Sequence, residues 1–259
     1  MRDVYVAGIG QTPVREHWDR GTVDLAADAL RMALSDAGTE QPEALYVGNM
    51  LSIRLDRQGH LGALIAGAAG WMGIEALMVE AACASGGAAF QAGVRVEKMT
   101  NTSSAHTTAG LATAADAEYE LAHGVSFVAL NALVMQRYLH EYRAPREDFA
   151  AFPMLAHANA LNNPHALFHQ RLSEAAYARS PVIAPPINLY DSSPMCDGAA
   201  AAILDSADVA RHLSGVTPVR VLASATATDA VSLQGRRAGD VVAVDAIADS
   251  SARAFAQAG

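Results

Sequence analysis

Met78-Val79-Glu80-Ala81-Ala82-Cys83-Ala84-Ser85-Gly86-Gly87-Ala88-Ala89 runs from an apolar, strand-like end into small residues suited to a helix. A cysteine at that junction stands at the carboxyl end of a strand, where open α/β sheets place their sites. Amides at a helix start are unpaired and carry the positive end of the helix dipole. They therefore favour thiolate over thiol, and they can hydrogen-bond an oxyanion on an attached acyl group. The competing reading is a buried free cysteine acting as a small hydrophobe.

Around this segment short apolar strands alternate with helical patterns, which reads as an α/β architecture with a largely parallel, buried sheet. Residues 4–9 form the first strand. Thr22 caps a helix through Ala37, with Leu25, Ala29, Met32 and Ala33 on one face and Gly38 as its stop. Residues 44–47 return as a strand, 61–69 as a helix, and 76–79 as the strand leading into Cys83. Beyond Thr100 the alternation yields to a polar stretch with short helical patterns, running to about Pro186, which fits a lid or insertion subdomain. Strand patterns recur at 182–189, 199–204 and 219–225, and 241–258 is a final amphipathic helix.

Composition narrows the class. A net charge of −9 over 259 residues, without a basic stripe, excludes nucleic acid as the main partner. Cys83 and Cys196 are the only cysteines, so neither a disulfide framework nor a Cys-rich metal site can be built, which suits a reducing, cytoplasmic compartment. Met1-Arg2-Asp3-Val4 enters the first strand pattern without the regions of a signal peptide, and no apolar run reaches the ~20 residues of a membrane helix. Abundant alanine and few aromatics favour helices packed closely on a sheet.

Three local patterns compete for chemistry. Gly8-Ile9-Gly10 has two glycines of a dinucleotide fingerprint, but Pro13 stands where the third belongs, so a tight turn is the better reading. His165 and His169 are spaced to share a helix face, yet no glutamate adjoins His165 and no third ligand follows, so no metal is assigned. Lys98 at a strand end reads as structural or solvated rather than as a phosphate ligand.

The segment from Val79 to Gly87 resembles the nucleophile segment of the thiolase superfamily. Val96-Glu97-Lys98-Met99-Thr100 resembles the motif after the nucleophile helix in thiolases of the sterol-carrier-protein type. Ala112-Thr113-Ala114-Ala115-Asp116-Ala117-Glu118-Tyr119-Glu120 resembles their loop-domain opening, and Asp191-Ser192-Ser193-Pro194-Met195-Cys196-Asp197-Gly198 the segment that re-enters the sheet. The matches stand in family order across nearly the whole chain.

The resemblance implies a layered α/β/α fold with an inserted loop subdomain and a C-terminal half largely missing. The implied parts are an N-terminal α/β part (1–100), a loop subdomain (101–185), a return to the sheet (186–214) and the start of a second domain (215–259). Between the Cys83 helix and Val96 the family has a longer helix, a turn and most of a central strand, whereas here Gln91-Ala92-Gly93-Val94-Arg95 joins them directly. Most of a central strand, of the order of a half-dozen residues, is therefore expected to be absent with its connection.

By the same resemblance Cys83 attacks an acyl-CoA thioester, holds the acyl group and passes it on, with C–C bond formation or cleavage of a 3-oxoacyl-CoA. CoA is then a substrate, with no metal or bound cofactor. Family members also use a histidine in Gly-His-Pro and, late in the chain, a cysteine in Cys-x-Gly. No Gly-His-Pro occurs in this sequence. Cys196-Asp197-Gly198 lies in the segment entering the sheet, not in the late position, so Cys196 is read as a core thiol and Asp197 with Gly198 as a turn. His157 and Asn159, in a segment that resembles a loop-domain motif lying over the acyl-CoA channel, are candidates for pantetheine or acyl contacts; capping and turn hydrogen bonds in a Pro-terminated loop are the alternative. A homodimer or tetramer is the implied assembly. Two other functions stay open: an aldolase cleaving sterol side-chain CoA esters with a zinc-ribbon/OB-fold partner, and a catalytically inactive homologue.

Overall fold

The computed structural model describes residues 3–90, 94–206, 219–236 and 241–259. In chain order the elements are β1 (Val4–Gln11), α1 (Thr22–Ala37), β2 (Ala44–Gly48), α2 (Ser52–Leu55), α3 (Leu61–Ala68), β3 (Glu75–Val79), α4 (Ser85–Phe90) and β4 (Val94–Glu97). There follow α5 (Ser104–Ala112), α6 (Phe127–Tyr142), α7 (Ala151–Ala160), α8 (Glu174–Ala178), β5 (Val182–Ala184), β6 (Ile187–Asn188), β7 (Gly198–Ser206), β8 (Val219–Val221) and α9 (Asp245–Ala258). They fall into two compact units. One draws on Met1–Ser103, Cys196–Ala227 and Ile247–Gly259, the other on Ser104–Met195 and Thr228–Ala246.

The first unit is built on an open sheet of strand order β3-β2-β4-β7-β1-β8. β2 is parallel to β3 and β4, as βα alternation dictates, but β7 is antiparallel to β4 and β1, and β8 to β1. The sheet is therefore mixed rather than largely parallel. The alternation that implies parallel pairing covers only β1 to β4; β7 enters after residues 104–195 of the second unit, without a βα crossover to fix its direction.

Of the central strand expected to be mostly missing, a short piece of four residues remains. β4 occupies the middle of the sheet, paired with β2 at Val47–Val94 and Gly48–Arg95 and with β7 from Arg95–Ala200 to Glu97–Gly198. These four residues connect the two halves of the sheet, although only two of the five residues of β2 pair with them. Residues 91–93, where the shortened connection falls, lie outside the described residues.

One face of the sheet is covered by α1 and α3. Leu25, Ala26, Ala29, Leu30 and Ala33 recur at helical spacing and bury against Leu45, Val47, Val96, Ala199 and Ala201, joined by Leu61 and Ile65 of α3. Met32, expected on that face, is exposed, because the stripe continues through Leu30 and Leu34 instead. The N-cap is Gly21 rather than Thr22; Thr22 is the first helical residue and donates its hydroxyl to Asp56 at 2.8 Å. Gly38 ends the helix in the left-handed region at φ 68°, as expected.

Gly8 and Gly10 form neither a fingerprint nor a turn. Both lie inside β1, where a Cβ at Gly8 would collide with the Ala33 carbonyl oxygen and one at Gly10 with that of Ala29. They let α1 lie directly on the strand. A Gly10→Ala substitution is therefore expected to destabilise the protein by about 1–3 kcal/mol through overpacking, read as a lowered urea midpoint. Side chains between the core-facing positions point to the other face, where Ile9 and Leu77 are exposed.

The second unit is helical with small separate cores. Ser126 caps α6 and Ser173 caps α8, each hydroxyl accepting a backbone N–H at 3.2 Å. Ala132 and Met135 of α6 pack on Ile187, and Ala150, Leu172 and Tyr177 form a second cluster. The strand pattern at 182–189 resolves into β5 and β6, an antiparallel pair. Burial, followed by a hydrogen bond to Asp191 at 2.7 Å, pushes the Tyr177 phenol up to about 12, so it stays neutral across the physiological range.

Candidate active site

Cys83 sits where the strand-to-helix reading places it. β3 ends at Val79, a single 3₁₀ turn spans Ala82–Ala84, and α4 starts at Ser85. The thiol is exposed, which removes the reading of a buried hydrophobe. The site occupies the carboxyl end of parallel β3 and β2, where Asn49 follows β2. That asparagine is buried, donates to the Val96 carbonyl at 2.7 Å and accepts from Ser52 N–H at 2.8 Å.

The amides around Cys83 differ from the sequence expectation of open helix-start donors. Ala81 N–H donates to Ser85 Oγ at 2.9 Å, Ala82 N–H to Glu80 Oε1 at 2.5 Å, and Ala84 N–H to the Ala81 carbonyl at 2.9 Å. Ser85 N–H bonds the Ala82 carbonyl. The turn consumes these donors because α4 is only six residues long and begins after a 3₁₀ turn, not at the cysteine. Ala82, just before the nucleophile candidate, is held at φ 46°. Gly48 completes the seat, since a Cβ there would collide with the Ser85 carbonyl oxygen, so only glycine lets α4 press on β2.

Asp197 is expected to shape a turn, and Lys98 to be structural or solvated; together they form the most buried ion pair among the described residues, with Nζ–Oδ2 at 2.9 Å. Asp197 also accepts the N–H groups of His17 (2.9 Å), Met99 (2.7 Å) and Thr100 (2.9 Å) and the Thr100 hydroxyl (2.5 Å). Burial alone would raise its pKa, but the Thr100 hydroxyl, His17 N–H, Lys98 and Met99 N–H together hold it down at about 2. Lys98 donates in addition to the His17 carbonyl at 2.6 Å. The knot ties β4, β7 and the loop after β1 together. The signal in the sequence is partial: Asp197 is a lone charge before the apolar start of β7, whereas Lys98 follows a strand that already carries Arg95 and Glu97.

Cys196, expected to be a core thiol, is only half-buried; burial first, then the Asp197 charge, pushes its thiol pKa up. A cleft of about 230 Å³ in the first unit is lined by Thr12, Arg15, His17, Arg20 and Met32 among others. Its charges are already paired, Arg20 with Asp28 and Arg15 with Asp19, and Cys83 is not part of its wall.

In the second unit His157 and Asn159 lie on α7, not in a loop: the helix runs through Ala160 and stops before the Asn162-Asn163-Pro164 turn. His157 Nδ1 bonds the Gln170 carbonyl at 2.9 Å, and its ring stacks on Phe168 with centroids 5.7 Å apart. Asn159 is exposed. His165 and His169 are outside any helix, so they share no helix face; among the described residues no group of three metal-ligating side chains occurs. No described helix is long and apolar enough to cross a membrane.

No family model matches the chain. It is 40% identical to an acetyl-CoA acetyltransferase of Methanothermobacter thermautotrophicus over 274 positions, covering all of this chain and 70% of that protein. Because the alignment is longer than the 259 residues of this chain, at least 15 positions of the relative have no counterpart here. An acetyl-CoA acetyltransferase of Methanocaldococcus jannaschii is 34% identical, over 91% of this chain and 64% of its own length. The chain thus spans about two thirds of the length of these relatives. The solved structure of an Ltp2-ChsH2(DUF35) aldolase superposes with a TM-score of 0.73 at 21% identity, covering 99% of this chain and 70% of that one, which shows a shared fold. With the open α/β sheet, the cysteine at its carboxyl edge and a 40% identical relative matched over the whole chain, this protein belongs to the thiolase superfamily, in its acetyl-CoA acetyltransferase family.

Proposed function

We propose that this chain carries out acyl transfer from an acyl-CoA through a thioester on Cys83, in the service of C–C bond formation or cleavage of a 3-oxoacyl-CoA. The observation that carries the proposal is an exposed thiol set on a constrained turn at the carboxyl end of β3. The Cys83 thiolate attacks the thioester carbonyl carbon. The tetrahedral adduct collapses with cleavage of the bond to the CoA sulfur, and CoA leaves as a thiolate that takes up a proton. The acyl group then rests on Cys83 Sγ. Splitting the transfer into two covalent steps lowers each barrier, because a thiolate is both a good nucleophile and a good leaving group for a thioester.

The acetyl-CoA acetyltransferase relatives support acetyl-CoA as the donor. His157 and the Phe168 ring stacked on it form an amphipathic pair suited to a pantetheine arm, and Asn159 offers an amide for its carbonyl groups. A homodimer or tetramer is the proposed assembly. An aldolase with a zinc-ribbon/OB-fold partner leaves an exposed Cys83 without a role, so the transferase is favoured.

The test is exchange of isotopically labelled CoA into acetyl-CoA with no acyl acceptor present. The covalent half-reaction predicts exchange that depends on protein concentration. Absence of exchange, with binding of acetyl-CoA retained, contradicts it.

A further inference from the structure

We infer that Glu80 and Ser85 act as positioning residues for Cys83, by clamping Ala82 in the left-handed conformation that presents the thiol; this rests on the reading of Cys83 as the acyl acceptor.

Ala82 lies at φ 46°, a region in which a residue with a Cβ is strained, so the surroundings must over-determine it. Both of its backbone polar groups are held by side chains. Its N–H donates to Glu80 Oε1 at 2.5 Å, and its carbonyl accepts the Ser85 hydroxyl at 2.6 Å. Ser85 Oγ at the same time accepts Ala81 N–H at 2.9 Å, so one hydroxyl grips the residues on both sides of the Ala81–Ala82 peptide.

The two halves of the clamp differ in their anchorage. Ser85 is fully buried, and its carbonyl lies against Gly48 with no room for a Cβ, so its position is fixed by the sheet. Glu80 is exposed and reaches over only the turn itself. Together they transmit the position of β2 and β3 to the residue before Cys83, which has no other buried side chain of its own turn to hold it. Ala81, Cys83 and Ala84 are exposed. A capping serine normally precedes its helix and bonds forward; Ser85 instead starts α4 and reaches backward, which serves the turn rather than the helix.

Acyl transfer needs the sulfur at one place relative to a bound thioester, whereas alkylation by a small freely diffusing reagent does not. A displacement of the order of 1 Å costs about 10²-fold in a positioned reaction. The experiment compares wild type, Ser85→Ala, Ser85→Thr and Glu80→Ala in two reactions. One is single-turnover acetylation of Cys83 by acetyl-CoA, with its rate constant and half-saturation concentration; the other is carbamidomethylation by iodoacetamide. The expected result is an acetylation rate constant about 10- to 100-fold lower in Ser85→Ala and about 10-fold lower in Glu80→Ala, with half-saturation and alkylation within about threefold of wild type. Ser85→Thr, which keeps the hydroxyl, restores acetylation. Acetylation unchanged in Glu80→Ala, whose exposed side chain can be removed without disturbing the core, overturns the clamp. So does a parallel fall of both reactions in Ser85→Ala. A wild type that alkylates but never acetylates overturns the acyl-acceptor reading itself, and the inference with it.

Discussion

Asp197→Asn is expected to lower the unfolding free energy by about 3–5 kcal/mol, the cost of leaving a buried charge without its partner. The Lys98 ammonium, almost completely buried, would face an amide in place of a carboxylate. The asparagine NH₂ would also point a donor at donors, since His17 N–H, Met99 N–H, Thr100 N–H and the Thr100 hydroxyl all give hydrogen bonds to this carboxylate. Against a typical domain stability of about 5–15 kcal/mol, that is a large share. Lys98→Met should cost less, because Asp197 keeps its four other donors. Urea denaturation of the two variants checks the order; equal or inverted losses would show that the lysine, not the aspartate, is the hub.

The same carboxylate gives the protein an acid limit of defined sign. Its folded pKa of about 2 lies below the ~3.9 of a free aspartate, so the folded state stabilises the ionised form. That stabilisation is complete above the unfolded value and is lost as the pH falls from about 4 through about 2. Stability measured from pH 6 down to pH 2 should therefore fall more steeply in wild type than in Asp197→Asn, whose curve lacks this titration.

Cys83→Ala is expected to reduce CoA exchange by at least about 10³-fold while changing stability by no more than about 0.5 kcal/mol. The two halves of this prediction have one structural cause. An exposed side chain on a turn contributes little packing, and the turn is held through Ala82, the residue before it, by Glu80 and Ser85 rather than by the cysteine sulfur. Exchange that survives the substitution would transfer the role to another nucleophile. Cys196 is the poorer one, since burial and Asp197 hold its thiol up.

Much of the first unit was legible in the sequence because its signals are local. Leu25, Ala29 and Ala33 repeat at helical spacing, Gly38 stops the helix, and β1, β2 and β3 are short apolar runs between turn residues. Cys83 was legible for the same reason. Direction and pairing of β7 were not, because an antiparallel strand arriving from the other unit leaves no mark on neighbouring residues. Gly8 and Gly10 misled as a turn signal, since a glycine that admits a helix and a glycine that bends a chain look alike until the helix is in place. The Lys98–Asp197 pair joins residues 99 positions apart, and neither charge alone announces the other. In the second unit Asn162-Asn163-Pro164 drew the loop reading back over His157 and Asn159, although the helix ends only at Ala160. The clamp on Ala82 was hidden because Ser85 bonds backward, against the usual direction of a capping serine.

The most direct test of acyl transfer through Cys83 is the mass of the peptide bearing it after brief incubation of the protein with acetyl-CoA and acid quenching. The account predicts one acetyl group on Cys83, removed by added CoA and absent in Cys83→Ala. An unmodified Cys83 peptide, or an acetyl group that CoA fails to remove, would contradict it.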